Sequence, residues 1–351
     1  MTPEWAVIAR QALALGASDL HLSAGLPPMA RVHGVLQALN SQTPAWCNGQ
    51  VQQVLQQLMT AERWSAFATH LEDDFAFTHP DGGRWRVNAF QQHRGTAIVM
   101  RAIPDTVPRL ADLQAPALLN TLALKSSGLI LVTGPTGCGK STLLAALLDH
   151  ANRSLQGHLL TIEDPIEFVH TPHQCVVNQR EVGLHTHSFE AALRSALRED
   201  PDVILIGELR DLATIRLALT AAETGHLVLA SLHTASAPQA VDRMVDVFAA
   251  EEKDLVRTLL ADALLAVVAQ TLCPRQDGPG RVAAHEVMVA TPAVRNLIRE
   301  GKTAQLYSVL QTGAQAGMHT LDQSLQGLRQ SGQISADTAR SLAKFPALLS
   351  P

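Results

Sequence analysis

Apolar and polar residues follow two different rhythms along this chain. Residues 4–15 (EWAVIARQALAL) place apolar side chains at helical spacing and stop at Gly16. Ser18–Ser23 (SDLHLS) alternates polar and apolar as a half-buried strand does, and Met29–Leu39 reads as a hairpin turning at His33-Gly34. The loop Thr43–Gly49 leads into helices over Gln50–Thr60 and about Ala61–Thr69. Strand patterns then cover Asp73–His79, Arg84–Gly95 and Thr96–Ile103, with a turn at Pro80-Asp81-Gly82-Gly83 between the first two. These elements predict an α+β domain over residues 1–104. Pro104 and Pro108 in IPDTVPRL predict a short, stiff linker over 105–115.

Past the linker, over 116–351, the rhythm changes. Near-continuous apolar runs at 128–133, 159–163, 203–207, 227–232 and about 281–288 alternate with helical patterns. Such runs are buried on both faces, so they predict a parallel sheet with helices on each side, an α/β domain. From about Val256 the chain reads as mostly helical. The segments 294–302, 304–313 and 320–332 each end near a glycine, as helix C-termini do.

The first of those strands carries the chemistry. Leu129, Ile130, Leu131 and Val132 break into Gly134-Pro135-Thr136-Gly137-Cys138-Gly139, then Lys140-Ser141-Thr142 and a Leu/Ala-rich helix. This is G-x-x-x-x-G-K-[ST] in its strand–loop–helix setting. A loop so rich in glycine can bring backbone N–H groups against a phosphate, and the helix start adds its own unpaired N–H groups. Lys140 is expected on the β/γ-phosphates and Ser141 on Mg²⁺, so binding of a nucleotide with Mg²⁺ is predicted.

Three other strand ends add titratable groups. PDVILIGELRD delivers Glu208 after a buried run, placed to bind Mg²⁺ through water or to orient the attacking water. TIEDPIEFVH groups Glu163, Asp164 and Glu167 after another strand, so either Glu208 or Glu163 could activate water. TGHLVLASLHT brackets a strand with His226 and His233, candidates for sensing the γ-phosphate or contacting the neighbouring acid. Arg86, Arg94 and Arg101 sit on the last two strands of the first domain. A phosphoryl-transfer site gains from an arginine donated by another domain or subunit.

Composition narrows the partners. The formal net charge is −5 and aromatics make up 4% of the chain, with no Lys/Arg-rich block. That argues against a nucleic-acid motor, which needs a basic footprint and stacking platforms. Cys47, Cys138, Cys175 and Cys273 show no paired spacing and read as reduced thiols of a cytosolic protein. No signal peptide and no apolar run of about 18 residues is present, so no transmembrane segment is expected.

Taken together, these motifs resemble the type II/IV secretion NTPase superfamily, and within it the PilT-type pilus retraction ATPases. The likeness runs from SDLHLSAGLPPMARVHG through RVNAF, GPTGCGKST, TIEDPIEFVH, SALREDPDVILIGELRD, TAAETGHLV and SLHT to TPAVRNLIREGK. It implies a PAS-like N-terminal domain and a RecA-like P-loop domain in a homo-hexameric ring, with ATP between the domains and beside a neighbouring subunit. It further implies Arg86 and Arg101 as interdomain arginines, and Arg295 in a C-terminal motif that motor function needs beyond hydrolysis. The implied partner is a polytopic inner-membrane platform protein at the cytoplasmic face of the inner membrane, with a second retraction ATPase as a further candidate. Alternatives within the superfamily are an accessory retraction ATPase and a DNA-uptake or secretion ATPase. A RecA-type nucleic-acid motor and an ATP-binding module without turnover are more distant. The sequence departs from the family pattern at Cys138, where Ser is usual, at Leu209 for Met, at ASLHT for GTLHT and at Val294 for Ile. Cys138 beside the phosphates raises the expectation of thiol sensitivity.

Overall fold

The computed structural model describes residues 5–32, 34–40, 42–79, 83–103 and 106–349; His33, Pro80, Asp81, Gly82 and Pro104 of the expected turns and linker lie outside them. The chain divides into two compact units, Met1–Thr106 with Pro165–Phe168, and Val107–Asp164 with Val169–Pro351. A linear boundary has no place for Pro165–Phe168, which leaves the second unit's run of sequence and groups with the first.

The first unit is a six-stranded sheet: β1 Ala17–Ser23, β2 Met29–Val32, β3 Val35–Ala38, β4 Glu72–His79, β5 Gly83–Gln92 and β6 Gly95–Ile103. Its order is β3-β2-β1-β6-β5-β4, every pair antiparallel. Period-two alternation sorts its faces. Leu20, Met100 and Val87 are cross-strand partners in the core, and the next row along is Asp19, Arg101 and Arg86 on the opposite face. The helix Asn48–Leu58 buries Val51, Val54, Leu55 and Leu58, one stripe at i, i+3, i+4 and i+7. Gln50 accepts from the Cys47 N–H at 2.9 Å and so fixes where that helix begins.

The second unit holds seven strands: β7 Gly128–Thr133, β8 His158–Glu163, β9 Val176–Glu181, β10 Val203–Ile206, β11 Leu227–Leu232, β12 Leu264–Pro274 and β13 Arg281–Val289. Their order is β13-β12-β7-β11-β10-β8-β9. The parallel expectation holds from β12 to β9, but β13 runs antiparallel to β12. Two strands are additions to the sequence reading. β12 follows directly on the helix Lys253–Ala263, so its apolar run merges with the helical pattern, and the stretch after Val256 is helix, then a long strand pair, then helices. β9 (VVNQRE) is a polar edge strand with little apolar signal. β7 and β11 are buried along their whole lengths, and helices pack on both faces.

Candidate nucleotide site

In a parallel sheet the carboxyl ends of the strands share one edge. β7 therefore delivers the glycine loop, β8 Glu163, β10 Glu208 and β11 His233 to the same side. The loop turns into the helix Lys140–Ser154 through Gly139, whose φ of 90° is left-handed backbone that only glycine adopts freely. A side chain at Gly139 would also meet Gln270 Nε2 at 2.7 Å.

Strand register brings Gln270 to the loop. Ala269 of β12 pairs with Thr133 of β7, which sets Gln270 beside the start of the loop. Its Nε2–H donates to the Cys138 carbonyl at 2.6 Å, and its Oε1 lies 3.1 Å from His285 Nε2. Sequence reading passed over Gln270, a lone amide inside an apolar strand with no motif around it. On the loop's other flank, Thr133 Oγ1 accepts from the Thr234 N–H at 2.9 Å and ties β7 to the end of β11.

Lys140 is buried, and its Nζ donates to the carbonyls of Gly134 at 2.8 Å and Pro135 at 3.0 Å. It also stands 3.4 Å from His233 Nδ1. An ammonium only donates, so Nδ1 accepts and the ring proton belongs on Nε2. That nitrogen lies 3.2 Å from Glu208 Oε1. Lys140, His233 and Glu208 thus form one chain of polar contacts. Arg210 completes it at 2.9 Å from Glu208 and reaches Asp164 at 3.9 Å. Burial would raise the Glu208 carboxyl, but the Arg210 hydrogen bond and charge, helped by His233, outweigh it and hold the group below its ordinary 4.5. Glu208 is an anion at neutral pH. Arg210 was missed as a site residue, although its place two positions after Glu208 in GELRD was a signal.

Glu163 differs. Its Oε1 accepts from Thr161 Oγ1 at 2.7 Å and from Gln179 Nε2 at 3.3 Å. His226 is not brought to this edge: it precedes β11, at the opposite end from His233, and its Nδ1 lies 3.0 Å from the Ala221 carbonyl. Expected thiol sensitivity at Cys138 is not supported, because the side chain is buried and burial pushes its thiol pKa up.

Mg²⁺ fits the donor set. The Ser141 hydroxyl opens the helix after the loop, and the ionised Glu208 supplies hard oxygen. Among the described residues no cluster of three metal-ligating side chains occurs. A phosphate-bound Mg²⁺ needs only one or two protein ligands.

In the first unit, Arg86 and Arg101 are direct cross-strand partners. Arg101 Nε pairs with Asp19 at 2.8 Å. Arg86 pairs with Asp74 at 2.7 Å and with Glu167 at 3.2 Å. Arg94 donates to the Ala24 carbonyl at 3.1 Å. Arg295 is far from any such role in its contacts. Its guanidinium donates to the carbonyls of Ala261, Asp262, Leu264 and Ala290, capping the C-terminus of the helix Lys253–Ala263.

Comparison with known proteins bears on the whole chain. The family model described as type II/IV secretion system protein matches residues 5–337. The type IV pilus retraction ATPase PilT of Pseudomonas aeruginosa is 55% identical over 94% of this chain and 95% of its own. The type IV pilus ATPase PilU of the same organism is 41% identical over 92% of this chain and 84% of its own. A crystal structure of the pilus retraction motor PilT with bound ADP superposes with a TM-score of 0.89 at 40% identity, covering 98% of each chain. With a phosphate loop, an ionised strand-end acid and relatives of this closeness over nearly its full length, the chain belongs to the type II/IV secretion system protein family, on the branch of the pilus retraction ATPases.

Proposed function

We propose that this chain is the ATPase motor of type IV pilus retraction, coupling Mg-ATP hydrolysis to pilus disassembly and twitching motility. It works as a homo-hexameric ring at the cytoplasmic face of the inner membrane, against a polytopic platform protein. Among the described residues no helix is long and apolar enough to cross a membrane, so that contact is made through a partner. The observation that carries the reading is the run of contacts from Lys140 through His233 to the Glu208 carboxylate.

Lys140 exchanges the Gly134 and Pro135 carbonyls for the β/γ-phosphates, which offer it a stronger, charge-assisted partner. The loop from Gly134 and Pro135 through Thr136, Gly137, Cys138 and Gly139 to Ser141 and Thr142 surrounds the same phosphates, with N–H donors at every one of these positions except Pro135. Ser141 and Glu208 would hold Mg²⁺, which would supply charge neutralisation on the phosphates. Glu208 also accepts from the attacking water; Glu163, already accepting two hydrogen bonds on one oxygen, is the weaker candidate. Arg86 and Arg101 stabilise charge at the γ-phosphate when the assembled ring closes, and that closure is the power stroke. Arg295 serves the motor by holding the helix Lys253–Ala263 onto β12 rather than by touching nucleotide. His226 has no part in the chemistry of its own strand end.

Phosphate release from Mg-ATP by the purified chain, unaffected by single- or double-stranded DNA, tests the ATPase reading against the nucleic-acid motor. Deleting the gene tests the direction of force. Excess, non-retracting surface pili are expected; bald cells would assign it to pilus assembly instead. Normal retraction with only a reduced force would point to the accessory role.

A further inference from the structure

Gln270 lies against both ends of the phosphate loop. A side chain added at Gly134 would collide with the Gln270 carbonyl, and one at Gly139 would meet its Nε2 at 2.7 Å. The two outer glycines of the motif therefore close-pack on one buried residue, its backbone against the first and its amide against the last. The same amide donates from Nε2 to the Cys138 carbonyl at 2.6 Å.

That hydrogen bond sets the direction of a peptide group. The Cys138 carbonyl and the Gly139 N–H belong to one planar trans peptide, so they point in opposite directions. With the carbonyl turned onto Gln270, the Gly139 N–H faces away from it, and among the described residues no acceptor meets that N–H. The next N–H groups, of Lys140 and Ser141, open the helix Lys140–Ser154 and have no intrahelical acceptor either. Three successive donors are left for an anion.

His285 keeps the amide the right way round. It is the direct cross-strand partner of Gln270, and its Nε2 lies 3.1 Å from Gln270 Oε1. Burial lowers its pKa to about 4, so the ring is neutral and carries one proton. An amide oxygen only accepts, so that proton belongs on Nε2. It holds Oε1 toward β13 and leaves Nε2–H facing Cys138. An amide turned over would set its oxygen against the Cys138 carbonyl and release the peptide.

We infer that Gln270, oriented by His285, is a positioning residue of the nucleotide site, aiming the Gly139 N–H at the β-phosphate of a nucleoside di- or triphosphate. It touches no phosphate itself. Its effect reaches only what the loop grips, so it separates nucleotides that carry a β-phosphate from those that lack one.

The probes are ADP and AMP, each with Mg²⁺, measured on the full chain by competition with a fluorescent ADP analogue. Gln270→Met keeps the length of the side chain and loses the donor. It should weaken ADP about tenfold, the size of one hydrogen bond to a charged group. AMP, which lacks the group the peptide is aimed at, should bind within about twofold of wild type. The KM for ATP should rise by the ADP factor with kcat nearly unchanged, as for lost uniform binding. His285→Gln still presents an N–H to Gln270 Oε1 and should leave ADP binding close to wild type, whereas His285→Leu frees the amide to turn and should weaken ADP. Unchanged ADP affinity in Gln270→Met would overturn the inference. Equal losses for ADP and AMP would overturn it too, because they mark a site disturbed as a whole. Equal ADP binding by His285→Leu and His285→Gln would remove the role given to His285. Should Gln270→Met fail to fold, the two His285 variants decide. The KM arm rests on the ATPase reading; the ADP and AMP arms need no turnover, so a chain that binds ADP without hydrolysing ATP sinks that reading alone.

Discussion

The arginine row of the first unit and the strand-end edge of the second are built on opposite principles. On the strand-end edge, Lys140, His233, Glu208 and Arg210 already touch one another, and the carboxylate is held ionised. That is preorganisation: charges set in place before the reaction cost nothing to arrange during it. Arg101 is instead parked. Its side chain is 60% exposed, while its partner Asp19 is 8% exposed and also accepts from Ser18 Oγ at 2.8 Å. The guanidinium is open to water, which weakens its hold, and the nearly buried Asp19 keeps the Ser18 hydrogen bond when the arginine leaves. Arg86 is likewise held by the half-exposed Asp74 and Glu167. One region holds its charged groups against one another; in the other, each arginine rests on acids of its own unit.

The sharpest way to break this contrast is Arg101→Ala. An arginine finger is worth about 10³-fold or more in turnover, so ATPase measured at saturating ATP should fall by that factor with the fold intact. Near-normal turnover would remove Arg101 from the site and leave its ion pair purely structural. Glu208→Gln should cost about 10²-fold in kcat with little change in KM, because it loses a group aimed at the transition state. Glu163→Gln, tested alongside, should cost much less; the reverse order would transfer water activation to Glu163.

A smaller effect concerns pH. Burial lowers His170 and His285 from 6.5 to about 4. The fold favours their neutral form, while the unfolded chain takes up protons below 6.5. Their contribution is therefore complete above pH 6.5 and is lost as pH falls toward 4, by at most about 3 kcal/mol for each. Glu208, held below 4.5, adds its own loss only under more acid conditions. Urea unfolding at pH 7 and pH 4.5 should show the drop, and His285→Gln should flatten part of it, with His21 and His319, also lowered by burial, carrying some of the rest. Smallest is Arg295→Ala, which strips several carbonyls of their donor and should lower stability by about 1–3 kcal/mol. Calorimetry checks this, and Arg295→Lys should rescue little, since one ammonium cannot span the fork's partners.

The sequence was most legible where backbone demands were special. Gly139 and Lys140 declared the loop because few residues other than glycine accept that conformation, and Glu208 announced itself by closing a four-residue apolar run. β12 was illegible because Leu264–Ala269 continues the apolar pattern of the helix before it, and nothing local marks where helix becomes strand. Gln270 and Arg210 were missed for a related reason. Their roles come from pairing register and from distant partners, which no spacing along the chain encodes. His226 looked equivalent to His233 in sequence, yet a strand puts its two ends on opposite edges of the sheet. Arg295 was placed in a functional motif by resemblance, but its role as a helix cap comes from carbonyls distant in sequence, which only the fold brings to it.

The most direct test is a structure of the assembled chain with Mg²⁺ and a non-hydrolysable ATP analogue, read at the γ-phosphate. The account predicts that Arg101 has left Asp19 and Arg86 has left Asp74, each guanidinium donating to γ-phosphate oxygens in at least one subunit. Asp19–Arg101 and Asp74–Arg86 pairs intact in every subunit and every nucleotide state would contradict it.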